Sequence, residues 1–227
     1  PITVTRVEME QLIDCALQRC VFCLPAFSLL YNPLYRQLQE IIPSLGTPRM
    51  INAHYAQRSS RYDRYLRGEI TPVFNPQMAG GSLMDLNIYN LCFTIGLFGP
   101  PRTIAYTSNT GYNGVDLSGT LTCHYPTSVA TLSASKDSDG LSHGCIQCEG
   151  GWIEIPGPVS VMQEFIVHRP GCQPERHTLP QEHHRLWWEF EEARLLIENQ
   201  KECHIVLPYV TRIAQEIAIA LERMQNI

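Results

Sequence analysis

The sequence predicts an α+β fold: an open, mostly antiparallel sheet with helices packed on one face. Amphipathic helical stretches stand at both ends of the 227 residues, and short period-two segments joined by tight turns lie between them. No two of the 15 glycines are separated by a single residue. The Gly-x-Gly-x-x-Gly fingerprint of dinucleotide binding is therefore absent, and no Rossmann domain is expected within these residues.

Thr5 with Glu8 forms a capping box ahead of Met9, Leu12, Ile13, Ala16 and Leu17, the stripe of an amphipathic helix. Residues 21–29 read as extended. Asn32 caps a second helix with Pro33 at its first position and Leu34, Leu38 and Ile41 on its inner face. Pro43 through Pro48 make a turn, 49–57 a strand, and 58–76 a polar, arginine-rich loop. Gly80-Gly81 introduces the most apolar helix, 82–97, which Gly99-Pro100-Pro101 stops.

The period then changes to two. Val115, Leu117, Gly119, Leu121, Cys123 and Tyr125 alternate with Asp116, Ser118, Thr120, Thr122 and His124, a half-buried strand. Further strands are expected near 102–109, 128–135, 143–149, 151–155 and 159–167, close enough in sequence to pair antiparallel. Two helices close the chain. One, about 181–199, carries Leu186, Phe190, Ala193 and Ile197 on a stripe; the other, about 209–225, carries Val210, Ile213, Ala214, Ile217, Leu221 and Met224.

Composition removes several function classes. Seventeen basic against 22 acidic residues give −5, which disfavours a nucleic-acid binder. No apolar run is long enough for a membrane helix, and no secretory leader is visible. Nine cysteines without framework spacing point to reduced thiols and the cytoplasm. Neither Lys136 nor Lys201 follows a phosphate-cradling glycine loop, and His-Glu-x-x-His and Gly-x-Ser-x-Gly are absent.

Cys20-x-x-Cys23 and Cys145-x-x-Cys148 have zinc-like internal spacing but lie over a hundred residues apart. They read as packed thiols, and no metal site is assigned. His168, His177, His183 and His184 are dense in sequence, yet adjacent helical residues point about 100° apart and cannot share a metal. For the same reason Trp187 and Trp188 cannot both face inward, and one is expected on a neighbouring surface.

The segment 79–89, Ala-Gly-Gly-Ser-Leu-Met-Asp-Leu-Asn-Ile-Tyr, carries the chemical signal. Gly80 and Gly81 let the backbone approach a ligand, and the helix they open aims unpaired amides at it. Asp85 and Tyr89, four residues apart, share one face near that end. A phenol with an ordinary pKa near 10 exchanges a substrate proton only where a cation or oriented hydrogen bonds lower it. The structural alternative is that Ser82-x-x-Asp85 caps the helix and Tyr89 simply packs.

Arg58-Ser59-Ser60-Arg61-Tyr62-Asp63, Val73-Phe74-Asn75-Pro76, the 79–89 segment and Leu97-Phe98-Gly99 occur in one order. With Asn113-Gly114-Val115-Asp116, Ala134-Ser135-Lys136-Asp137-Ser138 and the opening Pro1-Ile2-Thr3-Val4-Thr5, this combination resembles the glucose-fructose oxidoreductase/inositol dehydrogenase/MocA family. The resemblance implies that 1–227 is the C-terminal substrate-binding and dimerisation domain of an NAD- or NADP-dependent oxidoreductase acting on a sugar, polyol or similar hydroxyl/carbonyl compound. It implies Tyr89 as general acid/base and Asp85 as its partner, with Asn87 where the family usually has glycine. Arg61, Tyr62, Asn75 and Asn87 would contact substrate, and Gly80 and Gly81 the cofactor. A homodimer through the exposed sheet face is expected, with no nucleic-acid or membrane partner.

The family's Glu-Lys pair belongs directly before Pro1, and Lys136 and Lys201 match other positions. The dinucleotide-binding half and its lysine are thus expected upstream, and these residues alone are expected neither to bind cofactor nor to turn over. A non-catalytic homologue, serving dimerisation or partner binding, is the competing reading.

Overall fold

Thr5 opens the first helix, α1 (Arg6–Arg19), as its capping box requires: the Thr5 hydroxyl accepts from the Glu8 amide and the Glu8 carboxylate from the Thr5 amide. The computed structural model describes residues 3–179, 183–198 and 213–221. Of the apolar stripe on α1 only Met9 is buried; Leu12 and Leu17 are 41% and 53% exposed. The stretch expected to be extended before Asn32 closes in a short helix, α2 (Ser28–Tyr31). The Asn32 carbonyl oxygen caps α3 (Pro33–Ile41) by accepting from the Leu34 amide at 2.9 Å, while its amide donates to the Met162 carbonyl at 2.9 Å.

Among the described residues, eight strands form one sheet in the order β2-β3-β4-β1-β5-β6-β7-β8. They are β1 (Pro48–Ala56), β2 (Thr103–Thr110), β3 (Asp116–His124), β4 (Val129–Ser135), β5 (His143–Cys148), β6 (Gly151–Pro156), β7 (Glu164–His168) and β8 (Glu175–Thr178). Every neighbouring pair is antiparallel except β1 with β4, which runs parallel from Met50↔Val129 to Ala56↔Ser135. A parallel pair needs a long crossover. Here it contains α4 (Tyr62–Leu66), a π-helical turn at Leu83–Asn87, α5 (Ile88–Phe98) and the β2–β3 hairpin.

Several expectations are corrected. The loop 58–76 holds α4, and β8 adds an edge strand that its charged, short sequence does not advertise. The predicted strand 159–167 divides into a 3₁₀ turn at Val159–Val161 and β7. On α6 (Trp187–Glu198) half of the predicted inner stripe faces outward, Phe190 being 69% and Ile197 66% exposed, while Leu186 and Ala193 are partly buried. Trp188 packs against the core and Arg36 pairs with Glu192 at 3.6 Å. Those two contacts turn the helix so that Phe190 and Ile197 point away. Trp187 stacks on His183 with ring centroids 3.9 Å apart. The last predicted helix is present over 213–221 as α7; the ends predicted for it, with Val210 and Met224, and Lys201 lie outside the described residues.

The core lies on one face of the sheet. Ile51 and Ala53 of β1, Leu132 of β4 and Ile146 of β5 pack with Leu91 and Phe93 of α5, all nearly inaccessible. α3 and α7 join the same cluster through Leu38 and Ile217. This segregation of helices to one face is what strand alternation with polar opposite positions requires.

The opposite face is polar and open. Thr120 and Ser133 share a hydrogen bond at 2.9 Å, and Asn109 donates to Ser118 at 2.9 Å. A shallow groove of about 480 Å³ runs there, lined in part by His54, Asn109, Thr120 and Asp139. Partial burial, and secondarily His143 with its ring 6.1 Å away, lower the His54 pKa. The unfolded chain then takes up this proton first, so stability is lost as pH falls through the ordinary histidine value of about 6.5. Urea titrations between pH 7.5 and 5.5, on the order of one ordinary histidine titration, are expected to show a steeper loss for wild type than for His54→Gln. Parallel losses would remove His54 from that dependence.

Candidate active site

The parallel pair β1–β4 brings two strand C-termini side by side, and the candidate residues collect beyond them. Phase along β4 places Ala130, Leu132, Ala134 and then Lys136 towards the helices. Lys136 is 2% exposed. A lone buried ammonium costs several kcal/mol, so it needs compensation. It is supplied by a direct ion pair with the Asp85 carboxylate, by the Val73 carbonyl at 3.2 Å and by the face of Phe74, whose ring centre is 5.1 Å away.

Asp85 itself stands at the surface, its side chain 48% exposed. It does not cap the helix as part of a Ser82-x-x-Asp85 box, and among the described residues the buried Ser82 hydroxyl has no hydrogen-bond partner. The cap comes from Asp116 instead. Its carboxylate accepts from the Leu83 amide and from the Tyr106 hydroxyl, each at 2.6 Å. A register shift opposite Asn109 and Thr110 interrupts the alternation there and lets Asp116 turn to the helix mouth, away from its predicted solvent-facing position. Burial raises the Asp116 pKa, opposed by those two donors and by the charge of Lys136.

Gly80 and Gly81 are required, but by the chain itself. A Cβ on Gly80 would meet the Pro72 carbonyl oxygen at 2.6 Å, and one on Gly81, at φ 120°, would overlap the Asp116 carboxylate. The close approach these glycines permit is thus made by backbone 72–75 and by Asp116.

The π-helical turn at Leu83–Asn87 sets which residues face in or out. Asn87 is fully buried: its amide donates to the Leu132 carbonyl at 2.9 Å and its oxygen accepts from Asn90 at 2.9 Å. Asn90 also donates to the Ser133 carbonyl at 3.1 Å. Both amides fasten the turn to β4, which leaves Asn87 no surface from which to meet a ligand.

Tyr89 lies one turn beyond Asp85, half-buried against the core. No described residue hydrogen-bonds its hydroxyl. Burial is the main cause raising its pKa, followed by the negative charge of Asp85 and by Tyr55, while Arg185 pulls it down. The phenol is therefore protonated at neutral pH. Asp85 and Tyr89 are brought together as expected, and Lys136 and Tyr55 join them.

The remaining predicted residues gather to one side. Tyr65, Phe74, Val115 and Leu117 form a small second core, against which Tyr62 and Val73 pack. Tyr62 stacks on Tyr65 at 6.1 Å and lies under Arg58 at 5.3 Å. Asn75 caps the turn that follows it, accepting from the Gln77 amide at 3.0 Å. Arg61 is exposed at the start of α4. This small core reaches Asp85 through Phe74 and Lys136.

Among the described residues no His, Cys, Asp or Glu cluster could hold a metal, and no helix is long and apolar enough to cross a membrane. Cys20 is exposed at the left-handed end of α1, whereas Cys145 lies in β5.

The family model for the GFO/IDH/MocA C-terminal domain matches residues 35–154. The uncharacterized oxidoreductase YgjR of Escherichia coli (strain K12) is 31% identical over 227 residues, all of this chain and 69% of the relative. The scyllo-inositol 2-dehydrogenase (NADP(+)) IolU of Bacillus subtilis (strain 168) is 30% identical over 201 residues, 88% of this chain and 61% of its own length. Among solved structures, KijD10, a 3-ketoreductase from Actinomadura kijaniata in complex with NADP and TDP-benzene, superposes with a TM-score of 0.81 at 15% identity. That match covers 100% of this chain and 68% of KijD10 and shows a shared fold.

Proposed function

Because this chain belongs to the GFO/IDH/MocA family of oxidoreductases, we propose that it is the substrate-side domain of an NAD- or NADP-dependent enzyme acting on a sugar, a polyol or a related hydroxyl/carbonyl compound. The observation that carries this reading is the pairing of exposed Asp85 with half-buried Tyr89 beyond the ends of the parallel strands. Tyr89, protonated at neutral pH, would donate its proton to a carbonyl oxygen in reduction and take it back from the hydroxyl in oxidation. Asp85 would accept a hydrogen bond from a neighbouring substrate hydroxyl and fix the ring of that substrate over Tyr89. A bound nicotinamide cofactor supplies hydride exchange.

The Gly80–Gly81 turn does not fit a dinucleotide phosphate, because the Asp116 carboxylate fills the helix mouth where an anion would lie. The cofactor is assigned instead to a companion domain of the natural protein. The 31% of YgjR left unmatched and the exposed apolar residues Val7, Leu12 and Leu17 of α1 support one. Its Glu-Lys pair would bring the cation that Tyr89 needs as a base. Tyr62 and Asn75, beside Phe74, and Arg61 at the start of α4 would border the substrate. Absorbance at 340 nm, the ordinary reduced-nicotinamide band, decides the reading in the natural full-length protein with NADP or NAD and a panel of cyclitols and aldoses. Turnover of at least one is expected, and none across the panel would favour a non-catalytic homologue.

We also propose a homodimer through the open sheet face, whose hydroxyl-rich strands β2 to β4 offer side-chain hydrogen-bonding groups to a second copy. Sedimentation of wild type is expected to give a dimer, and Thr131→Glu, at the centre of that face, a monomer. A monomeric wild type at high concentration would contradict it.

A further inference from the structure

We propose that Lys136 is a positioning residue of this site: its buried ammonium holds the Asp85 carboxylate in place and neutralises it beside Tyr89. The inference rests on the reading of Asp85 and Tyr89 given above. Lys136 is nearly inaccessible, and among the described residues its ammonium meets the Asp85 carboxylate, the Val73 carbonyl and the Phe74 ring. Val73 and Phe74 belong to a 3₁₀ turn, and Lys136 immediately follows β4. The lysine is thus fixed by two separate elements, and among the described residues its charged partner at contact distance is the exposed Asp85. Such an arrangement tethers a surface carboxylate from below. Asp85 sits on the π-helical turn, and without the tether its side chain would be free to rotate into solvent.

The electrostatic consequence falls on Tyr89. Among the described residues, the charged and titratable groups that act on that phenol are Asp85 on the π-helical turn, Tyr55 at the end of β1, Arg185 before α6, and Cys92 one turn along α5. Asp116 of β3 adds a second negative charge that Lys136 feels. Asp85 opposes ionisation of the phenol; an ammonium paired with Asp85 cancels much of that opposition at short range. Lys136 therefore tunes a proton-transfer group that it does not touch.

The test is the ionisation of Tyr89 in this chain, followed by NMR of ¹³Cζ-labelled tyrosine and assigned with Tyr89→Phe. Lys136→Met is expected to raise the Tyr89 midpoint by about one pH unit, since Asp85 is then unopposed. Adding Asp85→Asn is expected to return it to or below the wild-type value, and Lys136→Arg to leave it near wild type. Lys136→Gln, which keeps a donor for the Val73 carbonyl, takes the place of the methionine variant should that one not fold. A midpoint unmoved by loss of the lysine, or a shift that Asp85→Asn does not reverse, overturns the proposal. A purely structural role would lower stability without this reversal. In the natural enzyme the pH limb of kcat governed by Tyr89 is expected to move with the same pattern. Absence of turnover there would count against the proposed function, while the NMR midpoints decide the role of Lys136 independently.

Discussion

Replacing Tyr89 with phenylalanine in the natural full-length protein is expected to lower kcat by about 10²- to 10⁴-fold, the range a general acid/base supplies. Stability is expected to change little, with Tm within about 2 °C of wild type. The two expectations separate because of where the hydroxyl stands. The ring of Tyr89 packs against the main core, and phenylalanine keeps that contact. The hydroxyl makes no hydrogen bond to a described residue, so its removal strands no buried partner. A structural tyrosine would behave in the opposite way, losing stability while sparing turnover. Unchanged kcat would remove Tyr89 from the mechanism.

Gly81→Ala is expected to destabilise the chain by about 3 kcal/mol, combining backbone strain with loss of a helix cap. In a domain of this size that lowers Tm by about 6–12 °C. The added methyl would land on the Asp116 carboxylate at a φ of 120°. Asp116 would have to withdraw from the Leu83 amide and the Tyr106 hydroxyl. The π-helical turn that carries Asp85 starts at Leu83, so activity should fall together with stability. Gly99→Ala provides the comparison. Its φ of 76° and ψ of −171° suit glycine alone, but nothing beyond its chain neighbours lies within 4 Å of the new methyl, and strain alone should cost about 2 kcal/mol. Equal melting temperatures for the two variants would show that the Asp116 contact contributes nothing.

Much of the fold was legible because burial on one face imposes a period. The alternation from Val115 to Cys123 is observed as β3 over most of its length, and Asn32 and Thr5 cap the helices that their side chains announce. Tertiary contacts decided the rest. α6 rotates about Trp188, which no stripe count from Leu186 to Ile197 could show. The short strand β8 carries Glu175 and Arg176, edge residues whose pairing with β7 is a matter of partner rather than pattern.

Within the candidate site, Asp85 and Tyr89 follow from helical spacing, but their surroundings do not. Lys136 carried a readable signal: one of two lysines in the chain, it continues the buried phase of Ala130, Leu132 and Ala134. A lysine in that phase implies a counter-charge within contact distance. Asp116 carried none, since a register shift reverses the side that alternation assigns to it. Asn87 reads as a site residue because it lies between Asp85 and Tyr89, yet the widened turn directs it to the Leu132 carbonyl.

The most direct measurement is a crystal structure of the natural full-length protein with NADP and a cyclitol or aldose that it turns over. The reacting oxygen of the substrate is expected within about 3.2 Å of the Tyr89 hydroxyl, with a second hydroxyl in reach of Asp85. A substrate bound on the open sheet face, or one whose reacting oxygen contacts neither side chain, would contradict the assignment of this site.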